Sequence, residues 1–154
     1  MPRNAFQRLV VRAAGTKPGA RVFAGTAQHL DRVVYRATRG RATLASWASG
    51  LPVVMLTTTG RRSGRQVTTP IVAVPESDAL VLVGSNFGQA HHPAWVHNLR
   101  ADPRARIDGR EVRAEEIEGP ERERLLALAT EVYPGFPAYV QRAAPRRIAV
   151  MRLR

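Results

Sequence analysis

The run Gly60-Arg61-Arg62-Ser63-Gly64-Arg65 has the composition of an anion site. Glycines expose backbone N–H groups, Ser63 adds a hydroxyl donor, and three guanidiniums bring fork-shaped positive charge. The run lacks the Gly-Lys-Ser/Thr ending of a phosphate-binding P-loop, and no helical pattern follows it. Taken alone, it reads as a solvated hairpin turn. His91, His92 and His97 form a second cluster. No two of them stand four apart, the spacing that puts two imidazoles on one helix face, and no acid lies among them. They read as structural or hydrogen-bonding groups and not as a metal site.

Trp95 and Asn98 stand three apart after Pro93. They read either as a core tryptophan with a packing amide or as the edge of a ring-binding cleft. Tyr133, Phe136 and Tyr139 recur every three residues. Such a stripe is either core packing or an aromatic substrate wall, and the interleaved Pro134, Gly135 and Pro137 point to a partly exposed loop-helix. No nucleophile elbow of the Gly-x-Ser-x-Gly type and no carboxylate pair stands out. Good ring- and anion-binding equipment beside poor acid–base equipment suits a cofactor enzyme or a carrier, since a cofactor brings its own reactivity.

Charge narrows the partner. The 154-residue chain carries 24 Lys+Arg against 12 Asp+Glu, a formal charge of +12. All the basic residues but Lys17 are arginine, which fits an anionic partner and equally a GC-rich genome. Residues 1–50 hold nine bases and one acid, Asp31. Their apolar stripes (Phe6, Leu9, Val10, Ala13; Leu30, Val33, Val34, Ala37) have helical spacing. This basic, amphipathic composition points to peripheral contact with an anionic membrane surface. No secretory signal is evident. The absence of cysteine excludes disulfides and thiolate chemistry and fits the cytosol. No stacking-plus-basic motif supports nucleic-acid binding.

The elements that must position these residues are mostly strands. Residues 53–58 and 67–74 read as a hairpin around the Arg-rich turn, and residues 79–84 as a third strand. A short helix over residues 92–99 follows, opened by Pro93. Residues 105–107 and 111–117 form a hairpin across Asp108-Gly109. A helix opens at Pro120, with Leu125, Leu128, Ala129 and Val132 on one face. Residues 138–143 suggest a short helix and residues 147–151 a last strand. Without βαβ alternation, the pattern predicts a basic helical segment over residues 1–50. It predicts an α+β, mainly antiparallel domain over residues 51–154.

Taken together, the motifs resemble a known family. They are Leu56-Thr57-Thr58-Thr59-Gly60-Arg61-Arg62-Ser63-Gly64, Thr69-Pro70, Val83-Gly84-Ser85-Asn86, His92-Pro93-Ala94-Trp95-Val96-His97-Asn98-Leu99, Asp102-Pro103 and Tyr133-Pro134-Gly135-Phe136. In that order they look like the deazaflavin-dependent nitroreductases and quinone reductases of actinobacteria, which use reduced coenzyme F420. The resemblance implies a split β-barrel with flanking helices, the fold of FMN-binding pyridoxamine-phosphate-oxidase-like proteins. It implies that Arg61, Arg62 and Ser63 face the cofactor's phosphate and acidic tail. Val67, Thr68, Thr69, Pro70, Ile71 and Val72 would flank the cofactor. Val83, Gly84, Ser85 and Asn86 would border the ring, with Ala94, Trp95, Val96, His97 and Asn98 closing the other side. Ser85, Tyr133 and Tyr139 would be the catalytic polar groups, and Phe136, often Tyr in the family, part of the substrate wall.

The implied reaction is hydride transfer from reduced coenzyme F420 to a quinone, enone or nitroaromatic acceptor. The alternative is a non-catalytic binder of coenzyme F420, flavin or a lipid-like ligand on the same fold. The sequence leaves the natural acceptor and the oligomeric state open.

Overall fold

A computed structural model describes residues 50–154. The helical stripes expected within residues 1–49 lie outside the described residues. The first hairpin joins β1 (Val53–Thr59) to β2 (Gln66–Glu76), with Leu56 opposite Thr69 and Thr57 opposite Thr68. β3 (Ala79–Val83) returns antiparallel to β2. β4 (Arg104–Ile107) and β5 (Arg110–Glu116) form the second hairpin. Its two turn residues, Asp108 (φ 49°) and Gly109 (φ 87°), both have positive φ, as a two-residue hairpin turn matched to strand twist requires. Asp108 Oδ1 accepts the Met55 N–H at 2.9 Å, and the Asp108 N–H returns to the Met55 carbonyl at 3.0 Å. This reciprocal pair fastens the hairpin tip to β1.

β6 (Val150–Leu153) runs between β3 and β5, and β4 pairs with β1. The sheet therefore closes as β1-β2-β3-β6-β5-β4, antiparallel throughout. The last strand starts three residues later than the sequence pattern suggests. The reason is local. The Ile148 carbonyl is taken by the buried Arg122, from Nε at 3.1 Å and Nη2 at 2.8 Å, and so is not spent on a ladder partner.

Period-two alternation sorts the core into two layers. Leu56, Ala73, Leu82, Ala105, Ile107, Met151 and Leu153 pack together, one or more from nearly every strand. They fill the barrel. Their neighbours Val74, Val81, Val83 and Val150 face outward into a second cluster. Among the described residues three α-helices cover the strands. α1 (Ala94–Ala101) sends Trp95, Val96 and Leu99 into the barrel core. Pro93 stands just before it in an extended conformation, so the helix starts two residues later than expected. α2 (Gly119–Val132) and α3 (Phe136–Ala143) lay Leu125, Ala129, Phe136, Tyr139 and Ala143 on the outer valines.

An ion network locks α2 onto the barrel. Arg152 of β6 donates from Nε to Glu76 of β2 at 2.9 Å and also pairs with Glu121 of α2. Arg124 pairs with Glu121 at 2.7 Å and with Glu76. Hydrogen bonds from Arg152 and then Arg124 hold the Glu76 carboxyl below its ordinary value. Those from Arg124 and then Arg152 pull Glu121 from 4.5 to about 2. Both groups have folded pKa values below the unfolded ones. Their contribution is therefore complete above about pH 4.5 and is lost as pH falls toward 2. The melting temperature of wild type is expected to fall across that window. Glu76→Gln is expected to flatten the fall, which circular-dichroism melts at stepped pH will show.

Candidate functional site

The Arg-rich turn is a compact backbone loop. The Gly60 N–H donates to the Arg65 carbonyl at 2.8 Å, and the Gly64 N–H to the Gly60 carbonyl at 2.7 Å. Ser63 Oγ accepts the Arg65 N–H at 3.3 Å. A Cβ on Gly60 would lie 2.6 Å from Ser63 Oγ and 3.3 Å from the Arg65 carbonyl, so a larger residue there would displace the Ser63 hydroxyl from the turn. Arg61, Arg62, Ser63 and Arg65 are exposed. The arginines of β4, α2 and β6 all reach carboxylates. Arg61, Arg62 and Arg65 reach none among the described residues. Burial, then the charges of Arg61, Arg100, His91 and Arg62, push the His97 imidazole toward its neutral form. The turn and α1 thus share one electropositive face.

Asn98 fixes that arrangement. Its buried amide accepts the Arg61 N–H at 3.0 Å and donates to Thr58 Oγ1 at 3.0 Å. It is a positioning residue for the turn, its donor and acceptor both engaged by protein. Asn98→Leu strands the Thr58 hydroxyl and the Arg61 N–H. A cost of about 1–3 kcal/mol is expected for such orphaned groups, read as a lower urea midpoint with an unchanged slope.

Two residues before Asn98, α1 presses on the end of β3. A Cβ at Gly84 would lie 2.8 Å from Val96 Cγ2 and 3.3 Å from the Ala149 carbonyl. One short helix therefore joins the arginine turn to the Gly84 end of the strand. Ser85 is half-buried, and none of the described residues hydrogen-bonds its hydroxyl. Beyond it Asn86, Phe87 and Gly88 are successively left-handed, with φ of 47°, 55° and 78°. Non-glycine residues in this region are strained and are found where surrounding contacts impose the shape. The contacts here are plain. Asn86 Nδ2 donates to the His91 carbonyl at 3.1 Å. Phe87 meets Tyr139 edge-on at 6.0 Å. Gly88 sits against α3, where a Cβ would lie 2.8 Å from Arg142 Cβ.

Other expected site residues divide by strand and helix face. On β2, Val67, Thr69 and Ile71 alternate with Thr68, Pro70 and Val72. Thr69 pairs with fully buried Leu56 and Ile71 packs in the barrel, while Val72 packs against the outer cluster. The run cannot present six side chains to one ligand. Thr68 turns outward, its hydroxyl 2.9 Å from that of Thr57. Val83 packs in the outer cluster. On α1, Ala94 is exposed and His97 half-buried, whereas Trp95 and Val96 belong to the barrel core.

The aromatic stripe is buried, not partly exposed. Tyr133, Phe136 and Tyr139 are 6%, 4% and 2% exposed. Pro134 and Pro137 lie outside, and the turn they shape folds the rings inward. Gly135 permits this, since a Cβ there would strike the Tyr133 ring at 2.5 Å. The Tyr133 and Tyr139 hydroxyls hydrogen-bond each other at 2.7 Å. Burial, and for Tyr139 that hydrogen bond as well, raises both above the ordinary phenol value. The pair stays protonated at neutral pH.

A groove of about 630 Å³ opens at Thr59 and Gln66, the last pair below the arginine turn. It runs past Arg104, Arg106 and Arg113 of the second hairpin. Asp102 and Glu111 line it as well and pair with Arg104 and Arg106, and sequence reasoning missed this groove because strand pairing, not proximity in the chain, brings the two hairpins together. It also missed Phe87 and Arg146, the second of which reaches back across the fold to the Gly84 loop. Among the described residues no group of three His, Asp or Glu is placed to hold a metal. No described helix is long and apolar enough to cross a membrane.

The family model for F420H(2)-dependent quinone reductases matches residues 28–153. The chain belongs to that family. It is an F420-dependent reductase, and coenzyme F420 is its cofactor. A Mycobacterium tuberculosis protein whose name assigns it to the F420H(2)-dependent quinone reductases is 31% identical over 114 residues, covering 71% of this chain and 95% of that one. An F420H(2)-dependent quinone reductase of the same organism is 34% identical over 80 residues, covering 51% of this chain and 52% of that one. Among solved structures, the F420-H2 dependent reductase FDR-A is similar with a TM-score of 0.59 at 33% identity, covering 67% of this chain and 94% of that one. A domain-swapped dimer is similar with a TM-score of 0.63 at 30% identity, covering 90% of this chain and all of that one.

The reductase's residues fit an anionic ring cofactor. Three exposed arginines without carboxylate partners among the described residues stand at one side of α1, and a Ser85 hydroxyl without a described partner stands at the end of β3 against the other.

Proposed function

We propose that this reductase carries hydride from reduced coenzyme F420 to a quinone, with enones and nitroaromatics as further acceptors. The observation that carries the reading is α1, which joins the arginine turn, unpaired among the described residues, at Asn98 to the Gly84 strand end at Val96. When bound, the reduced deazaflavin supplies the hydride from C5. Arg61, Arg62 and Ser63 hold the phosphate and acidic tail through charge-assisted hydrogen bonds. Ser85 and Asn86 border the ring, with Ala94 and His97 opposite. The protein sets donor and acceptor in contact and stabilises the negative charge arriving on the acceptor oxygen. In this reading Tyr133 and Tyr139, buried and hydrogen-bonded to each other, back the Phe87 loop, and the proton for that oxygen comes from solvent. Phe136 packs beside them, where family nitroreductases often carry a tyrosine.

The test is oxidation of the reduced coenzyme by menadione, followed anaerobically. Protein-dependent oxidation is expected. Binding without turnover would favour the alternative of a carrier on the same fold.

Residues 1–50 we read as a separate basic segment that rests on anionic membrane, where quinones reside. Its charge and apolar stripes support this. The full chain is expected to sediment with anionic vesicles and not with zwitterionic ones. Equal sedimentation with both would count against it.

A further inference from the structure

Arg146 makes four contacts with one loop. Nε donates to the Gln89 carbonyl at 3.0 Å, Nη1 to the Gly84 carbonyl at 3.0 Å, and Nη2 to the Ser85 carbonyl at 2.8 Å. Nη1 also lies 3.3 Å from His92 Nδ1. An arginine only donates, so His92 Nδ1 accepts and the ring proton sits on Nε2. No carboxylate pairs with Arg146 among the described residues. A half-buried cation held entirely by neutral acceptors is uncommon, because burying charge is costly unless it is paired. Burial lowers its pKa from the ordinary arginine value, yet a guanidinium remains charged at neutral pH.

The loop needs such a hold. Asn86 and Phe87 are left-handed without being glycine, and a free segment would relax out of that shape. Arg146 fastens both ends of the bend, Gly84-Ser85 on one side and Gln89 and His92 on the other.

We propose that Arg146 is the positioning residue for the cofactor ring. Its planar fork fixes the Gly84–His92 loop in the shape that receives the deazaflavin. The inference rests on the functional reading above, since it takes this loop as the ring's border. Lysine keeps the charge but has one point of donation and cannot serve three carbonyls in a plane.

The test compares wild type, Arg146→Lys and Arg146→Gln as full chains, by coenzyme F420 titration and by amide hydrogen exchange without cofactor. Arg146→Lys is expected to weaken coenzyme F420 at least about tenfold, the loss of one charge-assisted contact. Exchange at residues 86–89 should accelerate by a similar factor, while β1 and α2 exchange as in wild type. Arg146→Gln should do the same or more. By contrast, Arg61→Ala should weaken binding and leave the loop's exchange unchanged. Wild-type affinity in Arg146→Lys overturns the proposal. So does exchange that accelerates equally across the barrel, or an Arg146→Lys chain that does not fold, because Arg146 would then serve the fold alone. If wild type itself binds no coenzyme F420, the functional reading fails, and the exchange data still decide whether Arg146 holds the loop.

Discussion

Arg61→Ala and Arg62→Ala are expected to weaken coenzyme F420 binding, at least one of them by roughly 10- to 150-fold. A charge-assisted hydrogen bond contributes about 1.5–3 kcal/mol, which converts to that range of affinity. Both side chains are exposed and make no ion pair among the described residues, so the fold should be indifferent to their loss and the melting temperature unchanged. Arg61 has its backbone tied to Asn98 at 3.0 Å, whereas Arg62 sits nearer the tip, so the two losses should differ. The effect should be larger for the oligoglutamate form of the cofactor than for a tail-less deazaflavin. It should shrink at high salt, where exposed ion pairs are screened. Isothermal or fluorescence titration at two ionic strengths measures all of this. If both variants bind the tailed coenzyme like wild type at low salt, the turn is only a hairpin turn.

Gly88→Ala should be the most damaging single methyl group in the region. The residue has φ +78°, and its Cβ would lie 2.8 Å from Arg142 Cβ and 3.1 Å from the Tyr139 carbonyl. Left-handed backbone costs a non-glycine residue roughly 1–2 kcal/mol, and overpacking against backbone adds about 1–3. For a chain of this size that is a fall in melting temperature of roughly 5 °C or more. Gly64→Ala is the control. Its φ is +65°, but nothing lies within 4 Å of the added Cβ, so only the conformational cost applies. The displaced loop should also weaken coenzyme F420 in Gly88→Ala. Equal, small shifts in the two variants would mean that Gly88 is not tightly docked on α3.

Features whose causes are local could be read directly from the chain. Asp108-Gly109 declared its hairpin because only residues tolerant of positive φ fit that turn, and Gly64 closes the arginine turn for the same reason. The alternating valines of β2 and β3 gave strands but could not say which face met the barrel interior. That depends on α2 and α3 covering the other side. The stripe of Tyr133, Phe136 and Tyr139 shows the limit well. Two prolines and a glycine suggest exposure, yet Pro134 and Pro137 face out because Gly135 lets Tyr133 fold back over the chain. Arg146 left no local sign at all. Its partners Gly84 and Ser85 are 62 and 61 residues away, and no periodicity records a contact of that separation.

The most direct measurement of the central claim is a paired fluorescence titration of the purified chain with oxidised coenzyme F420 and with FMN. An arginine turn with no carboxylate partners among the described residues, joined by α1 to the Gly84 loop, suits a ring with a long acidic tail better than one with a lone phosphate. The account therefore predicts saturable coenzyme F420 binding that is tighter than FMN binding and weakens with salt. FMN binding that equals or exceeds it, or coenzyme F420 binding that is absent, would contradict the account.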